Sequence, residues 1–427
     1  MGARAEPGGP RFVAPASGGR RVPTPPTVSR SVAAAAPWPK VRLGEIGRIA
    51  MCKRILKGET TPQGDIPFFK IGTFGKEADA FISKSKFEHF SKLYSYPKKG
   101  SVLISAAGTI GRLVVFNGLP AYFQDSNIVW LEHDGQRLCD KYLYYTLLGH
   151  KWQFTQGATI QRLYNDDIRN TTISLPPLPV QRAIAGRLSA YDDLIENNKK
   201  RIAILERMAE QLYKEWFVRR RLSRHATAPS AALSLGDIIE VSRGLSYTSS
   251  EIDTDAGVQL INLKNIQPYG GFRYDGSKRF DGKYKPDQIV VRGDLVMGVT
   301  DMTQDRRAVG SVALMPPLKE TSVISADLIK IEPKIDKHFL YAMFRYGGLS
   351  RYISQFANGA NVLHLRPQSI MGIKVQVPSE EAMERLSARL RPMIALMDNL
   401  NEQNALLSRQ RDLLLPRLMS GKLEVKS

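Results

Sequence analysis

The chain has 427 residues, of which 43% are hydrophobic and 24% are charged, and this composition excludes wholesale disorder. Its 61 Lys and Arg residues exceed its 41 Asp and Glu residues, so the formal net charge is +20. A surplus of this size on a folded protein indicates a polyanionic partner, either nucleic acid or an anionic membrane surface. The alternative is a basic protein with no such partner.

The cysteine count and the hydropathy argue against three further classes: disulfide-rich, metal-binding and membrane-spanning proteins. Cys52 and Cys139 are too few for a disulfide framework, and no Cys or His cluster has the spacing of metal ligands. No run of about 18 apolar residues is present to span a membrane. We therefore expect a reduced, soluble, cytoplasmic protein without a bound metal or a membrane contact.

The first segment in chain order, residues 1–37, is rich in Gly, Pro, Ala, Ser and Arg and has no hydrophobic period. Such a segment cannot bury enough apolar surface to fold. Arg20 and Arg21 are not followed by the apolar core of an export signal. We predict a disordered basic arm, with folded protein beginning near Trp38; contact of the arm with DNA phosphates is an alternative role.

The most informative feature is an internal repeat. Residues 41–46 recur as residues 233–238, and residues 140–144 resemble residues 336–341. From Gln156 to Leu188 the matching residues of the two halves keep one constant offset. Each half is therefore predicted to be a strand-rich α+β region followed by a long helix. Two similar helices can dock one kind of partner twice, while two different strand-rich regions can read two ligands.

Both predicted helices carry apolar residues at heptad spacing, which is typical of a coiled-coil seam. The first spans about residues 180–222 and the second about residues 379–415, with Ser379 as its N-cap and Pro416 at its end. The seam comprises Leu188, Ile195, Asn198, Ile202, Leu205, Leu212, Leu390, Met397, Leu400, Leu407 and Leu414. Asn198 is the kind of polar residue that fixes helix register. We predict that the helices, each about 60 Å long, form an antiparallel coiled coil; core helices of a compact domain are the alternative.

The strand-rich regions contain short β-favouring runs, such as residues 100–105 and 288–291, between Gly, Pro and Asn turns. Their loops interleave basic and aromatic residues, and basic side chains contact DNA phosphates and base edges. The candidate DNA-binding residues are Lys70, Lys98, Lys99, Thr109, Arg112, Gln161, Arg162, Lys264, Asn265, Lys278, Arg279, Lys283, Lys285, Arg306 and Arg307. Residues 108–112 place two glycines at a predicted strand end, where backbone can approach a ligand closely. Each residue taken singly is also consistent with plain surface charge.

Catalytic motifs are missing from the sequence. Residues 271–278 resemble a P-loop, but the Lys does not directly follow the second Gly. The Pro-Pro pairs lack the setting of an adenine-methyltransferase tetrapeptide, and Asp287 with Glu332 and Lys334 is only a loose nuclease-like pattern. We therefore predict a binding subunit rather than an enzyme, with no catalytic residue and no cofactor of its own.

Several motifs resemble those of the specificity (S) subunit of type I restriction–modification systems. Residues 38–46 resemble its opening, residues 108–112 its mid-module motif, residues 173–184 the segment before its helix, and residues 415–421 its C-terminal motif. Each motif is short, but their order and the duplicated plan are specific. The resemblance covers about residues 38–425.

This resemblance implies two target-recognition domains with pseudo-two-fold symmetry, each reading one half of a bipartite, asymmetric DNA site through the major groove. The two helices hold the domains apart and dock two modification (methyltransferase) subunits, which bring S-adenosylmethionine. Restriction subunits bring ATP hydrolysis, Mg2+ and cleavage. Residues 378–384 depart from the Pro-Pro-Leu-x-x-Gln motif of the first half, which leaves the partner contacts of the second helix less defined.

The predicted organisation divides the chain into six segments. They are a disordered basic arm at residues 1–37, a first target-recognition domain at 38–179, a first spacer helix at 180–222, a linker at 223–234, a second target-recognition domain at 235–378, and a second spacer helix with the C-terminal tail at 379–427. An alternative function is a coiled-coil assembly protein whose basic modules bind RNA or acidic proteins. A stand-alone nuclease is a third.

Overall fold

A computed structural model describes the chain at residues 38–152, 162–218, 231–252, 256–303 and 305–423. The predicted arm at residues 1–37, the candidate Gln161 and residues 223–230 of the predicted linker lie outside these described residues.

The first half is built on a four-stranded antiparallel sheet. The strands of this half are β1 (Lys40–Arg42), β2 (Arg48–Met51), β3 (Ile66–Phe69), β4 (Phe81–Ile82), β5 (Val102–Ser105), β6 (Leu113–Val115), β7 (Tyr122–Phe123), β8 (Ile128–Glu132) and β9 (Thr172–Ser174). The helices of this half are α1 (Lys84–Leu93), α2 (Asp140–Leu147) and α3 (Asn165–Asn170). The main sheet has the order β2-β8-β5-β6. A smaller sheet, β4-β3-β7, contains the parallel pair β3–β7, and β1 pairs with β9.

The central strands β5 and β8 consist of consecutive apolar residues because both faces of the sheet are covered. Ile104 and Val129 lie in the core that includes α2, whereas Leu103 and Trp130 lie in the core on the side of β3. Successive side chains of a strand point to opposite faces, so a doubly covered strand needs an unbroken apolar run. This is why the runs in the sequence do not alternate with polar residues.

The second half has a similar arrangement of strands, with one more strand in its smaller sheet and an additional pair of strands. Its elements are β10 (Ala231–Ser234), α5 (Leu235–Ile238), β11 (Ile239–Arg243), β12 (Val258–Ile261), β13 (Lys278–Phe280), β14 (Ile289–Val290), β15 (Leu295–Gly298), β16 (Thr300–Asp301), β17 (Val312–Leu314), β18 (Ser322–Ile324), β19 (Leu328–Pro333), α6 (Lys337–Arg345), α7 (Leu349–Ile353), β20 (Leu363–His364) and β21 (Lys374–Val377). The main sheet is β11-β19-β15-β17, again antiparallel throughout. The second sheet, β13-β12-β18-β14, again holds one parallel pair, β12–β18, and β10 pairs with β21 as β1 does with β9. The additional pair is β16–β20.

A long helix follows each half, as predicted. The first, α4 (Leu178–Tyr213), passes into a π-helical turn at Lys214–Val218, and residues 219–222 of the predicted helix lie outside the described residues. The second, α8 (Glu380–Met419), is not ended by Pro416, which lies inside it. The hydrogen bond that a proline removes is offset here by the packing of Leu418 on the first half. None of the helices in the described part of the chain is long and apolar enough to cross a membrane.

The two long helices pack against each other and run in opposite directions. Early residues of α4 meet late residues of α8: Asp192 pairs with Arg411, and the Asn198 Nδ2 donates to Asn404 Oδ1 at 3.1 Å. The predicted seam residues Leu188, Ile195, Asn198, Leu390, Met397 and Leu400 are buried, and Ile202, Leu205, Leu212, Leu407 and Leu414 are partly buried. The residues expected at the helix interface are thus on the covered side of the pair.

Both halves use the helix pair to complete their cores. The core of the first half takes in the start of α4 and the end of α8, with Leu188 and Leu418 both fully buried. The core of the second half takes in the end of α4 and the start of α8, with Ala209 and Leu390 fully buried. Each half therefore rests on one end of the pair.

Polar contacts fix the halves to the helices. The fully buried Gln181 of α4 accepts from the Cys139 amide at 2.9 Å and donates to the Arg137 carbonyl at 2.8 Å, which ties the first half to the helix start. In the second half, Arg345 binds Glu206 of α4 through two hydrogen bonds of 3.1 and 2.7 Å. The Tyr346 hydroxyl donates to the same carboxylate at 2.8 Å.

The Glu206 contact allows a stability prediction. Glu206→Ala leaves the mostly buried Arg345 guanidinium without its counter-ion, so the free energy of unfolding should fall by about 3 kcal/mol. Urea unfolding followed by circular dichroism measures the loss. Glu381→Ala is the matched control because it removes an exposed i,i+4 partner of Arg385, and it should cost less than about 1 kcal/mol. Equal losses for the two variants would contradict the assignment.

A second prediction concerns Asp398 of α8. Burial raises the pKa of its carboxyl to about 6, and the charge of Arg292 opposes this only in part. A carboxyl whose pKa is higher in the folded than in the unfolded chain destabilises the folded state at every pH at which it is ionised. Asp398→Asn should therefore raise the free energy of unfolding on the order of 1–2 kcal/mol at pH 8.

The gain from Asp398→Asn should shrink as the pH falls through 6 and vanish below about pH 3, where the carboxyl is protonated in both states. Urea titrations at several pH values test this course. The exposed Asp193→Asn on α4 serves as a control and should change stability little at any pH. A pH-independent gain for Asp398→Asn would refute the explanation.

Candidate nucleic-acid interface

In the first half, the predicted glycine loop lies between β5 and β6 and is held by Ser105. The Ser105 hydroxyl accepts from the Arg112 amide at 2.8 Å and also bonds the Thr109 carbonyl, while Thr109 is exposed at the loop tip. Gly111 has a φ of +76°, and a Cβ there would lie 2.2 Å from the Nε1 of Trp152. Only glycine fits this position, so the motif is required by backbone conformation and by a close side-chain approach.

Arg112 joins this loop to the neighbouring one. Its Nη1 donates to the Phe74 carbonyl at 2.8 Å, which brings it to the loop that carries Lys70. Lys70 pairs with Asp79 at 2.8 Å with both side chains well exposed. The structure thus brings Thr109, Arg112 and Lys70 to adjacent loops, with Arg112 partly occupied in holding them together.

The other described candidates of the first half are Lys98, Lys99 and Arg162, and no hydrogen bond or ion pair among the described residues joins them to the loops of Thr109 and Lys70. Lys98 and Lys99 are exposed in the turn before β5. The Arg162 guanidinium donates to the Ser126 carbonyl at 2.7 Å, where Ser126 adopts a φ of +52°. Arg162 therefore stabilises a strained turn in addition to contributing charge.

In the second half, one group of candidates follows the edge strand β13. Lys278 is exposed and lies over the Tyr247 ring at 5.6 Å, and Arg279 pairs with Glu320. Lys283 and Lys285 are exposed in the loop that follows. Together with the exposed Lys264, they give this part of the second half a basic surface.

Asn265 departs from the expectation of an accessible side chain. It is fully buried, and its Nδ2 donates to the Arg273 carbonyl at 3.1 Å and to the Ser277 hydroxyl at 3.0 Å. Its Oδ1 accepts from the Asn262 amide at 3.0 Å. Asn265 is thus a residue that shapes the loop before β13, and the prediction that it contacts DNA is corrected accordingly.

The loop with Arg306 and Arg307 is organised by a residue that sequence reasoning missed. The buried Asp301 accepts from the Thr303 amide at 2.9 Å, the Thr303 hydroxyl at 2.8 Å and the Ala308 amide at 2.7 Å. Burial by itself would raise the pKa of Asp301, but these hydrogen bonds outweigh it and hold the pKa below its usual range. An Asp two residues before a Thr, just after a strand, is the sequence signal of an Asx-type turn.

Arg306 and Arg307 are presented by this loop in different ways. Arg306 adopts a φ of +55°, and its Nη1 donates to the Gln355 carbonyl at 3.2 Å. Arg307 is exposed and pairs with Asp305 at 2.6 Å.

Among the described residues no group of His, Cys, Asp and Glu has the arrangement of a metal site. Two basic α+β modules on a pair of long helices define a two-module binding protein.

Comparison with known proteins finds a similar family domain in the first half of the chain and relatives of low identity along most of its length. Residues 36–207 match the family model described as type I restriction modification DNA specificity domain. A putative type I restriction enzyme specificity subunit of Haemophilus influenzae, S.HindORF215P, is 47% identical over 173 residues, which cover 40% of this chain and 45% of that protein. The MjaIX specificity subunit of Methanocaldococcus jannaschii is 24% identical over 426 residues, covering 91% of this chain and 94% of that protein.

A solved structure shows the same fold. The type I restriction–modification S subunit from M. genitalium superposes with a TM-score of 0.59 at 16% identity, covering 91% of this chain and 98% of that one. In sequence, the first half of the chain resembles type I restriction–modification specificity subunits, and the fold of the whole chain is similar to that of the M. genitalium S subunit.

The Asp301 contacts predict a local effect. In Asp301→Asn the side-chain amide cannot accept from both the Thr303 and Ala308 N–H groups, so the Ala308 amide should exchange with solvent about 10 to 100 times faster, because a buried hydrogen bond is lost. Hydrogen exchange followed by mass spectrometry measures this. Asp305→Asn, which removes only the exposed partner of Arg307, should leave the exchange of that amide unchanged.

Proposed function

We propose that this protein is the non-catalytic DNA-recognition subunit of a type I restriction–modification complex. The observation that supports the proposal is the position of two modules with similar four-stranded main sheets at opposite ends of a pair of long helices. Each module carries exposed basic residues on its loops. Such a molecule can contact one extended polyanion at two places a fixed distance apart.

The finer architecture belongs to the same proposal. Residues 38–179 and 235–378 are the two target-recognition domains, and the helices that follow them form an antiparallel coiled coil around a pseudo-two-fold axis. The buried Asn198 in contact with Asn404 is consistent with a polar pair that sets register within an apolar seam. The helix pair then acts as the spacer between the two half-sites of a bipartite, asymmetric DNA sequence.

The exposed basic residues are proposed to divide between two tasks. Lys98, Lys99, Lys283 and Lys285 are free lysines at module surfaces, which suits contacts with phosphates. Hydrogen bonds to Ser105 and to Asp301 hold the loop of Thr109 and the segment that presents Arg307, which suits the reading of base edges in the major groove by Thr109 and Arg307. Since the two loops differ in length and chemistry, the two half-sites are expected to differ.

The helices are proposed to dock the partner subunits. Both retain exposed apolar residues on the sides not used for the helix pair, including Leu194 and Met208 of α4 and Leu396, Leu406 and Leu413 of α8. Apolar residues in such number on long helices suit protein partners. Two methyltransferase subunits would bring S-adenosylmethionine, and restriction subunits would bring ATP hydrolysis and Mg2+.

The test is binding to duplexes in which one half-site is intact and the other is scrambled. The site is first identified as the DNA motif methylated in the host genome, and the full chain is assayed with its methyltransferase partner across a salt series. Scrambling either half should weaken binding at least about 100-fold, because each mismatched base pair costs about 1–3 kcal/mol. Affinity for every duplex should fall steeply with salt.

A duplex of equal length and composition with both half-sites scrambled serves as the control. Equal affinity for the intact and scrambled duplexes would overturn the proposal. Preferential binding of RNA or of an acidic protein would favour the coiled-coil assembly protein instead, and Mg2+-dependent cleavage by the purified chain alone, lost in Glu332→Ala, would favour a nuclease.

A further inference from the structure

A cleft in the second module lies between the end of α4, the Arg306–Arg307 loop and the segment from α6 to residue 355. Its volume is about 610 Å³. The residues that matter for its chemistry are Lys214, Tyr269, Arg306, Arg307, Ser350 and Arg351. No metal ligand set or nucleophile–base pair is formed by these side chains, so the cleft suits binding rather than catalysis.

The charge of the cleft is positive and only partly neutralised. Lys214 pairs with Glu210 at 2.5 Å, and Arg307 pairs with Asp305 at 2.6 Å. Arg306 and Arg351 form no ion pair with any described residue. Two guanidinium groups are therefore available to a negatively charged ligand, and the planar guanidinium fork matches phosphate oxygens.

The backbone around the cleft is held in an unusual conformation. Tyr269 and Arg306 have φ angles of +66° and +55°, and only Ser126 shares a positive φ among the described residues other than glycine. The segment of Tyr269 and the segment of Arg306 are joined by a hydrogen bond in which the Tyr269 amide donates to the Arg307 carbonyl at 3.0 Å. Non-glycine residues in this region of φ persist at ligand-binding sites, where the surrounding structure enforces them.

Two further groups suit a nucleotide unit. Tyr269 is 57% exposed, and the Arg351 guanidinium lies 6.0 Å from its ring centroid. An exposed aromatic ring beside an arginine can pack against a sugar or base while the arginine holds the phosphate. The Ser350 hydroxyl is buried and has no hydrogen-bond partner among the described residues, so it is free to donate to a ligand oxygen.

We propose that this cleft binds a phosphate of the DNA backbone, with Arg351 and Arg306 as its charged ligands, and thereby anchors the duplex beside the second half-site. The inference rests on the proposed DNA-recognition function and adds Arg351, which lies outside the predicted set of DNA-binding residues, as a backbone contact beside the predicted Arg306. DNA is favoured over a free anion because Arg307 and the loop that presents it border the same cleft. A backbone contact positions the duplex and carries no base preference of its own.

The test is the salt dependence of DNA binding by Arg351→Gln, measured with the full chain and its methyltransferase partner. Loss of one phosphate contact should reduce the slope of log affinity against log salt by about 0.9 and weaken intact and scrambled duplexes by the same factor. The discrimination between those duplexes should stay unchanged. Lys319→Gln, an exposed lysine of the same module outside the cleft, is the matched control and should leave the slope unchanged.

Neutral methylphosphonate linkages, placed one at a time along the duplex, provide a second measurement. One position near the second half-site should weaken binding by the wild-type chain but not by Arg351→Gln, because both changes remove the same contact. Ser350→Ala should lower the affinity for the unmodified duplex but not the affinity for the duplex that carries the neutral linkage at that position. Circular dichroism verifies that each variant is folded.

An unchanged salt slope in Arg351→Gln, with wild-type discrimination intact, would overturn this inference and leave the proposed function standing. Tight binding of inorganic phosphate or dAMP to the DNA-free chain, together with an unchanged slope, would assign the cleft to a free anion and overturn the DNA source. Absence of discrimination by the wild-type chain would instead refute the proposed function itself.

Discussion

The packing of α4 against α8 is the interaction on which the rest of the structure depends. Neither module has a complete core without it, since Leu188 and Leu418 close one core and Ala209 and Leu390 close the other. The buried apolar side chains supply the energy, while Gln181 and Glu206 fix the angle at which each module sits on the helices. A change in the helix pair would therefore alter both modules and the distance between them.

The sequence predicted the plan of the fold well because the plan depends on periodic patterns. Heptad spacing singled out Asn198 and its apolar neighbours, which lie on the covered side of the helices, and the repeated short motifs indicated a mixed α/β region before each long helix. It failed where tertiary packing overrides a local rule. Pro416 is a helix breaker in isolation, yet the helix continues past it because Leu418 is held in a core that lies far away along the chain.

The candidate site was predicted less completely because exposure and hydrogen bonding are not periodic. Asn265 was expected at the surface on the strength of its residue type, but its amide is used by backbone groups of its own loop. Ser105 and Asp301 each hold a loop of their module by accepting a hydrogen bond from a backbone amide. Ser105 does so with a hydroxyl in a short loop, and Asp301 with a carboxylate in a longer one. Since these residues occupy loops of different length, comparison of the repeats did not reveal that they are related in role.

The shared cores have a consequence for biosynthesis. Leu418 and the residues around it leave the ribosome after both modules, yet they complete the core of the first module. The first module must wait, with apolar surface uncovered, until the second module and α8 have been translated. Contacts so distant in sequence are slow to form, so the nascent first module is the part of this protein with the greatest need of a chaperone.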